Sequence, residues 1–345
     1  MELTRLRSVY EYEGPFATVY LEGRSPGEDA GQQLRLRWKT LRERLDEAGA
    51  GAGVLDAVEA SVTTAEAGEE QTNGRVLVAT EAAGVVLDEP WDAALGAGDA
   101  AHWTRLPELG AYVREEARSV RMLVAIADEQ HAVVRQEIVA EQHAPRDLKA
   151  ETVEGGSDSR THKPRGAALA HKQLQRRAEQ AVEHNAEDIV AHLRTIEAGF
   201  RPRLLVLAGE MQGRTAIRDA LPEGLAELHV DADRGGDQDE AAEQALAEQL
   251  RELAEHESTR NAQARAEQLN AGLAHGQAVH GDQAVARAAE MGAVDTLLLE
   301  YGTSLDREAF LLKVCADTSA RADLVEAGTD LADGVGALLR FPLND

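Results

Sequence analysis

Apolar and polar positions change period several times along the chain, and each change marks an element. Leu34, Trp38, Leu41 and Leu45 recur at steps of four, three and four. That spacing predicts one buried face on a helix over 32–47. The runs 16–21, 75–80 (RVLVAT), 121–127 (RMLVAIA) and 203–208 (RLLVLA) are apolar and bounded by polar or turn residues. They are too short for helices and predict buried strands. Residues 84–87 read as a hairpin partner of 75–80, and 132–138 as a strand returning after a turn at 128–130. Residues 95–107 are turn-rich and poor in apolar side chains, and look like the end of a first domain. Residues 144–168 carry Pro145, Pro164 and a Gly155-Gly156 pair and read as a loop. A long helix over 169–198 follows, then the strand at 203–208, a short helix to Leu221 and a strand over 226–230. The polar stretch 231–240 (DADRGGDQDE) reads as a linker. A helix over 238–272 comes next, and its Leu246, Leu250 and Leu253 do not sustain the heptads of a coiled coil. The end of the chain alternates again: helix 283–291, strand 294–300, helix 307–318 and strand 336–341. Strands alternating with helices in this way place the chain in the α/β class.

Composition narrows the function classes. A length of 345 residues allows two or three domains of ordinary size. Aromatic residues make up 3%, so the core rests on Leu, Val, Ile and Ala. So few rings argue against a stacking platform for single-stranded nucleic acid. Cys315, in FLLKVCADT, is the one cysteine. It cannot form an intramolecular disulfide or build a zinc site alone, and its apolar neighbours predict a buried thiol. The opening MELTRLRSVYEYEG has no apolar signal core, and no run approaches the roughly 18 apolar residues of a membrane span. The expectation is a cytoplasmic protein with no membrane partner.

Charge changes the picture more. The chain has 62 acids against 36 Lys and Arg, a net charge of −26, which opposes non-specific binding to nucleic acid. Against that background, residues 159–178 (SRTHKPRGAALAHKQLQRRA) contain no acid. They carry Arg160, Lys163, Arg165, Lys172, Arg176 and Arg177, with His162 and His171. An acidic chain that concentrates cations in one segment presents them to something anionic; the plain alternative is a solvated helix start. Arg35, Lys39 and Arg42 share a face of the 32–47 helix and are candidates for a second contact. No glycine patch has the context of a P-loop or a dinucleotide fingerprint. His171 and His184 lie thirteen residues apart on one predicted helix, too far for a metal pair. Asp128 and Glu129 are adjacent, so their carboxylates point apart. No catalytic residue, metal or cofactor is expected from these patterns.

The last third carries a resemblance. In HGQAVHGDQAVARAAEMGAVDTLLLEY (275–301), a helix ends in Met291-Gly292-Ala293 and a strand starts Val294-Asp295-Thr296-Leu297. Together with the closing GVGALLRFP (334–342), this resembles the third domain of the archaeal and eukaryotic class-1 release factors and of Pelota. The opening EGPFATVYLE (13–22) is similar to bacterial relatives of that family. Those relatives include Balon-like ribosome hibernation factors and Vms/ANKZF-type peptidyl-tRNA hydrolases. In release factors a two-stranded start is followed by a loop carrying Gly-Gly-Gln, which reaches the peptidyl-transferase centre, and then by a long helix. The basic segment occupies the equivalent place here.

The departures bear on function. No Gly-Gly-Gln occurs: Gly155-Gly156 is followed by Ser157, and Gly166 by Ala167 and Ala168. The Asn-Ile-Lys-Ser stop-codon signature is missing too. The resemblance then implies three domains: a divergent N-terminal α/β domain over 1–111, an RNase H-like middle domain over 112–233 with the basic loop, and a release-factor-like α/β domain over 234–345. It implies an occupier of the ribosomal A site, monomeric, with Arg160, His162, Lys163, Arg165, Lys172, Arg176 and Arg177 on ribosomal RNA. A translational GTPase such as EF-Tu is the implied partner of the C-terminal domain. The rival reading is a peptidyl-tRNA hydrolase using Gln173 or Gln175 as a displaced glutamine. A third is a stress-induced interaction module without an RNA role.

Overall fold

Each of the three sheets is built around one strand whose side chains are almost all buried. A computed structural model describes residues 1–21, 30–63, 74–91, 98–128, 131–140, 145–154, 169–233 and 240–343. The first sheet follows a short turn at Leu3–Leu6 and the helix α1 (Arg7–Tyr10). Its central strand β1 (Phe16–Leu21) is buried at all six positions. The helices α2 (Ala30–Glu47) and α3 (Ala52–Thr63) come next, then β2 (Gly74–Thr80), β3 (Gly84–Trp91) and β4 (Ala100–Thr104). The strands are antiparallel in the order β3-β2-β1-β4. Trp38, Leu41 and Leu45 of α2 and Val54, Val58 and Val62 of α3 cover one face. The predicted α2 face is therefore the buried one. The stretch expected as the turn-rich end of a domain contains β4, whose AAHWT has no apolar run and becomes a strand by pairing with β1. Helix α4 (Gly110–Arg118) closes this part of the chain.

The second sheet begins with β5 (Val120–Ala127), β6 (His131–Val139) and β7 (Arg146–Glu154). It continues through α5 (Leu169–Phe200), β8 (Leu204–Gly209), α6 (Met211–Ala220), α7 (Glu223–Leu228) and β9 (His229–Asp231). The strand order is β7-β6-β5-β8-β9. Strand β6 pairs antiparallel with both β5 and β7, while β8 runs parallel to β5 and β9 parallel to β8. This is the RNase H-like order that the resemblance implied. Residues 144–168 were expected as loop throughout, but 146–154 form β7. Its sequence RDLKAETVE is polar, as suits an edge strand, and so lacks the alternation that marks a half-buried one. The strand expected over 226–230 is shorter and later, because Leu225 is buried from the helix α7. The helices α5, α6 and α7 cover one face through Ile189, Leu193, Ile217 and Leu225. The first half of α8 (Glu240–Ala274) covers the other through Leu246, Leu250 and Ala254.

The third sheet takes β10 (Ala278–His280), α9 (Asp282–Glu290), β11 (Val294–Glu300), α10 (Glu308–Asp317), β12 (Arg321–Val325) and β13 (Val335–Leu339). Its order is β10-β13-β11-β12, with β11 and β12 parallel. The Met-Gly-Ala signature has a physical role here. Gly292 sits at φ +67°, a conformation disfavoured for residues with a Cβ. From there its N–H donates to Ala289 O at 2.9 Å and the next N–H, of Ala293, donates to Ala288 O at 2.9 Å. This double bond pattern ends α9 and turns the chain directly into β11.

The chain falls into two compact units, residues 1–118 with 256–345, and residues 119–255. In the first unit, one continuous core holds the first and third sheets. Leu3, Leu6 and Val9 belong to it with Leu109, Tyr112, Leu311, Leu312 and Cys315. Backbone bonds add to it: Leu3 N–H donates to Ala320 O at 3.1 Å and Ala322 N–H to Met1 O at 2.8 Å. One ion pair lies inside this packing. The Arg114 guanidinium of α4 donates to the Glu308 carboxylate of α10 and to Thr303 O, and both side chains of the pair are under 10% exposed. Burial raises the Glu308 carboxyl above the usual carboxylate range, and Arg114 works against that rise.

Removing one partner of a buried pair leaves an uncompensated charge, so Arg114→Ala should cost about 3–5 kcal/mol in urea unfolding. The deficit should depend on pH. Glu308 in the variant keeps its raised pKa without the opposing cation, so the folded state binds the proton more tightly than the unfolded state. The deficit should therefore be largest at neutral pH and shrink as pH falls into the carboxylate range. A deficit independent of pH would show that the carboxylate of Glu308 is not what Arg114 compensates.

Candidate nucleic-acid interface

Residues 159–168 of the basic segment lie on the connection from the end of β7 at Glu154 to the start of α5 at Leu169, and residues 169–178 lie in α5. The elements on both sides are tied together. Lys149 and Glu151 are two apart on β7, so their side chains share a face, and Lys149 Nζ lies 2.6 Å from Glu151 Oε1. The other carboxylate oxygen, Oε2, lies 3.1 Å from His192 Nε2 on α5. Lys149 first, and His192 after it, holds the Glu151 carboxyl below the usual range. Around the same stretch of α5, Ala186, Ile189, Val190 and Leu193 pack on the sheet. The sequence pattern had shown the helix but not this clasp, because Glu151 and His192 are 41 residues apart and nothing local links them.

Arg160, His162, Lys163 and Arg165 lie outside the described residues. Lys172, Arg176 and Arg177 fall in α5, as do Gln173 and Gln175; the backbone there is helical, and their side chains lie outside the described residues. The first turn of α5 has no acid. Cations at a helix start oppose the positive end of the macrodipole, so helix stability does not account for Lys172. An anion at this end would be attracted by both the cations and the helix.

The other candidates, on α2, separate into two kinds. Arg35 and Lys39 are exposed. Arg42 is bound internally, with NH1 donating to Glu59 Oε2 at 2.5 Å and NH2 to Asp56 Oδ1 at 2.7 Å, so it braces α2 against α3. Arg37, which the sequence did not single out, makes a two-pronged pair with Asp99.

Elsewhere the chemistry is sparse. Among the described residues no group of three or more His, Cys, Asp or Glu could hold a metal ion, and no helix is long and apolar enough to cross a membrane. Cys315 is buried, which pushes its thiol up to about 12. A depression of about 590 Å³ opens at the start of α9, beside His280, Ser304 and Leu305. Its lining includes Asp282, Asp306 and Asp333, and Asp333 Oδ2 already accepts the Asp282 N–H at 3.1 Å. That lining repels phosphate.

Residues 121–275, from β5 to just past the end of α8, match the profile of the bacterial archaeo-eukaryotic release factor family 2. The uncharacterized proteins Rv2629 and MT2704 of two Mycobacterium tuberculosis strains are each 26% identical over 381 residues, covering 99% of this chain and 97% of theirs. Among solved structures, ribosome-bound archaeal Pelota with ABCE1 is similar at 15% identity and a TM-score of 0.44, with 99% of this chain and 95% of that chain covered. Dom34 of S. cerevisiae is similar at 12% identity and a TM-score of 0.43, with 100% and 94% covered. The archaeal translation termination factor aRF1 is similar at 16% identity and a TM-score of 0.25, with 98% and 97% covered. Residues 121–275, less than half of the chain, are thus similar to the bacterial archaeo-eukaryotic release factor family 2.

Proposed function

We propose that this protein is a ribosome-binding translation factor homologue that occupies the A site without releasing the nascent peptide, as a Balon-like hibernation factor does. The observation that carries the reading is the segment 159–178, with six Lys and Arg and no acid in a chain of net charge −26, which spans the end of the connection from β7 and the first turns of α5. The cations Arg160, Lys163, Arg165, Lys172, Arg176 and Arg177, with His162, contact ribosomal RNA phosphates near the peptidyl-transferase centre. The acidic remainder of the surface disfavours other placements on RNA. The protein acts as a cytoplasmic monomer, and its C-terminal sheet docks a translational GTPase such as EF-Tu.

The absence of hydrolysis follows from backbone chemistry. Glycines let a loop adopt conformations rarely open to residues with a Cβ, and here Ala167 and Ala168 follow Gly166. Gln173 and Gln175 lie within α5, beyond its first four N–H groups, so their amides take part in helical bonds. A glutamine fixed in a helix does not place water at an ester as a glycine-flanked one does, and a misplacement of about 1 Å can cost on the order of 100-fold in rate.

Two outcomes follow. The protein should co-sediment with 70S ribosomes, and binding should weaken as salt rises, each phosphate contact adding about 0.7–0.9 to the slope of log affinity against log salt. Changing Arg160, Lys163 and Arg165 together to Glu should abolish co-sedimentation with the fold intact; unchanged sedimentation would make the segment a solvated surface only. Wild-type protein added to ribosomes loaded with peptidyl-tRNA should release no peptide. Release that is lost on Gln173→Ala or Gln175→Ala would replace this reading with a peptidyl-tRNA hydrolase of the Vms/ANKZF type.

A further inference from the structure

A second acid-free stretch lies in the first unit. Residues 30–42 (AGQQLRLRWKTLR) contain four cations, Arg35, Arg37, Lys39 and Arg42, and no Asp or Glu. The fold sorts these four. Burial of Trp38, Leu41 and Leu45 against the sheet fixes the rotation of α2. Arg37 is turned to Asp99, and Arg42 to Asp56 and Glu59, so both are neutralised within the protein. Arg35 and Lys39 are left on the exposed face, one turn apart, with no ion-pair partner among the described residues. Leu36, beside them, is 60% exposed.

Helix stability does not explain this placement. Like charges four residues apart on a helix repel. An anion beside Arg35 and Lys39 relieves that repulsion. Two cations about 6 Å apart along the axis suit a row of anions better than a single ion.

We infer that the exposed face of α2 at Arg35 and Lys39 is a second contact on RNA phosphates, made by these two residues and not by Arg42. The inference rests on the proposed ribosome contact and adds a footing on the unit that does not carry the basic segment of 159–178. Because the two contacts sit on different units, each should contribute its own share of the salt dependence.

The test uses full-length protein, purified 70S ribosomes and, separately, protein-free ribosomal RNA. The double variant Arg35→Glu/Lys39→Glu and its neutral counterpart Arg35→Gln/Lys39→Gln are compared with wild type. The expected result is a salt slope lower by about 1.5 for the neutral variant, from two lost contacts. The Glu variant should weaken binding at least 10-fold near 0.1 M salt, on both ribosomes and RNA. Arg42→Gln should keep the wild-type slope. If both double variants keep the slope while the 160/163/165 variant loses binding, this inference fails and the proposed function stands. Weakened binding to ribosomes with unchanged binding to protein-free RNA would also overturn it, since the partner of α2 would then be a ribosomal protein. Wild-type protein that binds neither probe would overturn both readings.

Discussion

Competition among carboxylates for few cations governs this molecule. With 62 acids and 36 Lys and Arg, a cation that the fold brings near the chain's own surface readily meets an acid. The structure shows this repeatedly: Arg75 meets Asp88, Arg135 meets Glu243, and Arg265 meets Asp323 at 2.7 Å. Several of these pairs also brace one element against another, as Arg42 braces α2 on α3 and Arg265 ties α8 to β12. Exposed pairs of this kind contribute little each. Arg114 and Glu308 differ, because they are enclosed in the core shared by the first and third sheets. There the pair carries a desolvation cost that the rest of the packing must offset.

That constraint gives meaning to the cations that stay apart from acids. A basic segment in a basic protein would say little. Here the segment over 159–178 and the start of α2 are acid-free by sequence, in a chain where roughly one residue in five or six is an acid. The fold then distinguishes the engaged cations from the exposed ones, which sequence alone does not do. Arg42 shows the difference: it shares a helix face with Arg35 and Lys39, yet Asp56 and Glu59, brought up by α3, claim it.

Legibility in the sequence followed the strength of local patterning. The strands β1, β2, β5, β8 and β11 are runs of apolar side chains, and all were visible. So were the long helices α5 and α8, and the Met-Gly-Ala turn whose glycine the αL geometry favours. The strands β4 and β7 were not, since each is short or polar and owes its existence to a neighbour's backbone. The helix α3 was overlooked although Val54, Leu55, Val58 and Val62 carry its period. The continuity of the core between Leu3 or Leu6 and α10 had no local signal, because it joins residues some 300 apart. The basic segment was read from charge alone, and its roots on β7 and α5 came from the fold.

Where that segment goes on the ribosome decides its role. Cys315 is the sole cysteine and is buried, so Ser157→Cys adds one thiol next to the basic segment for an iron chelate that generates hydroxyl radicals. Bound to 70S ribosomes, the labelled protein should cut ribosomal RNA around the peptidyl-transferase centre, and rising salt should abolish the cuts along with binding. Ribosome-bound protein whose cuts fall elsewhere would contradict the claim that this segment occupies the A site.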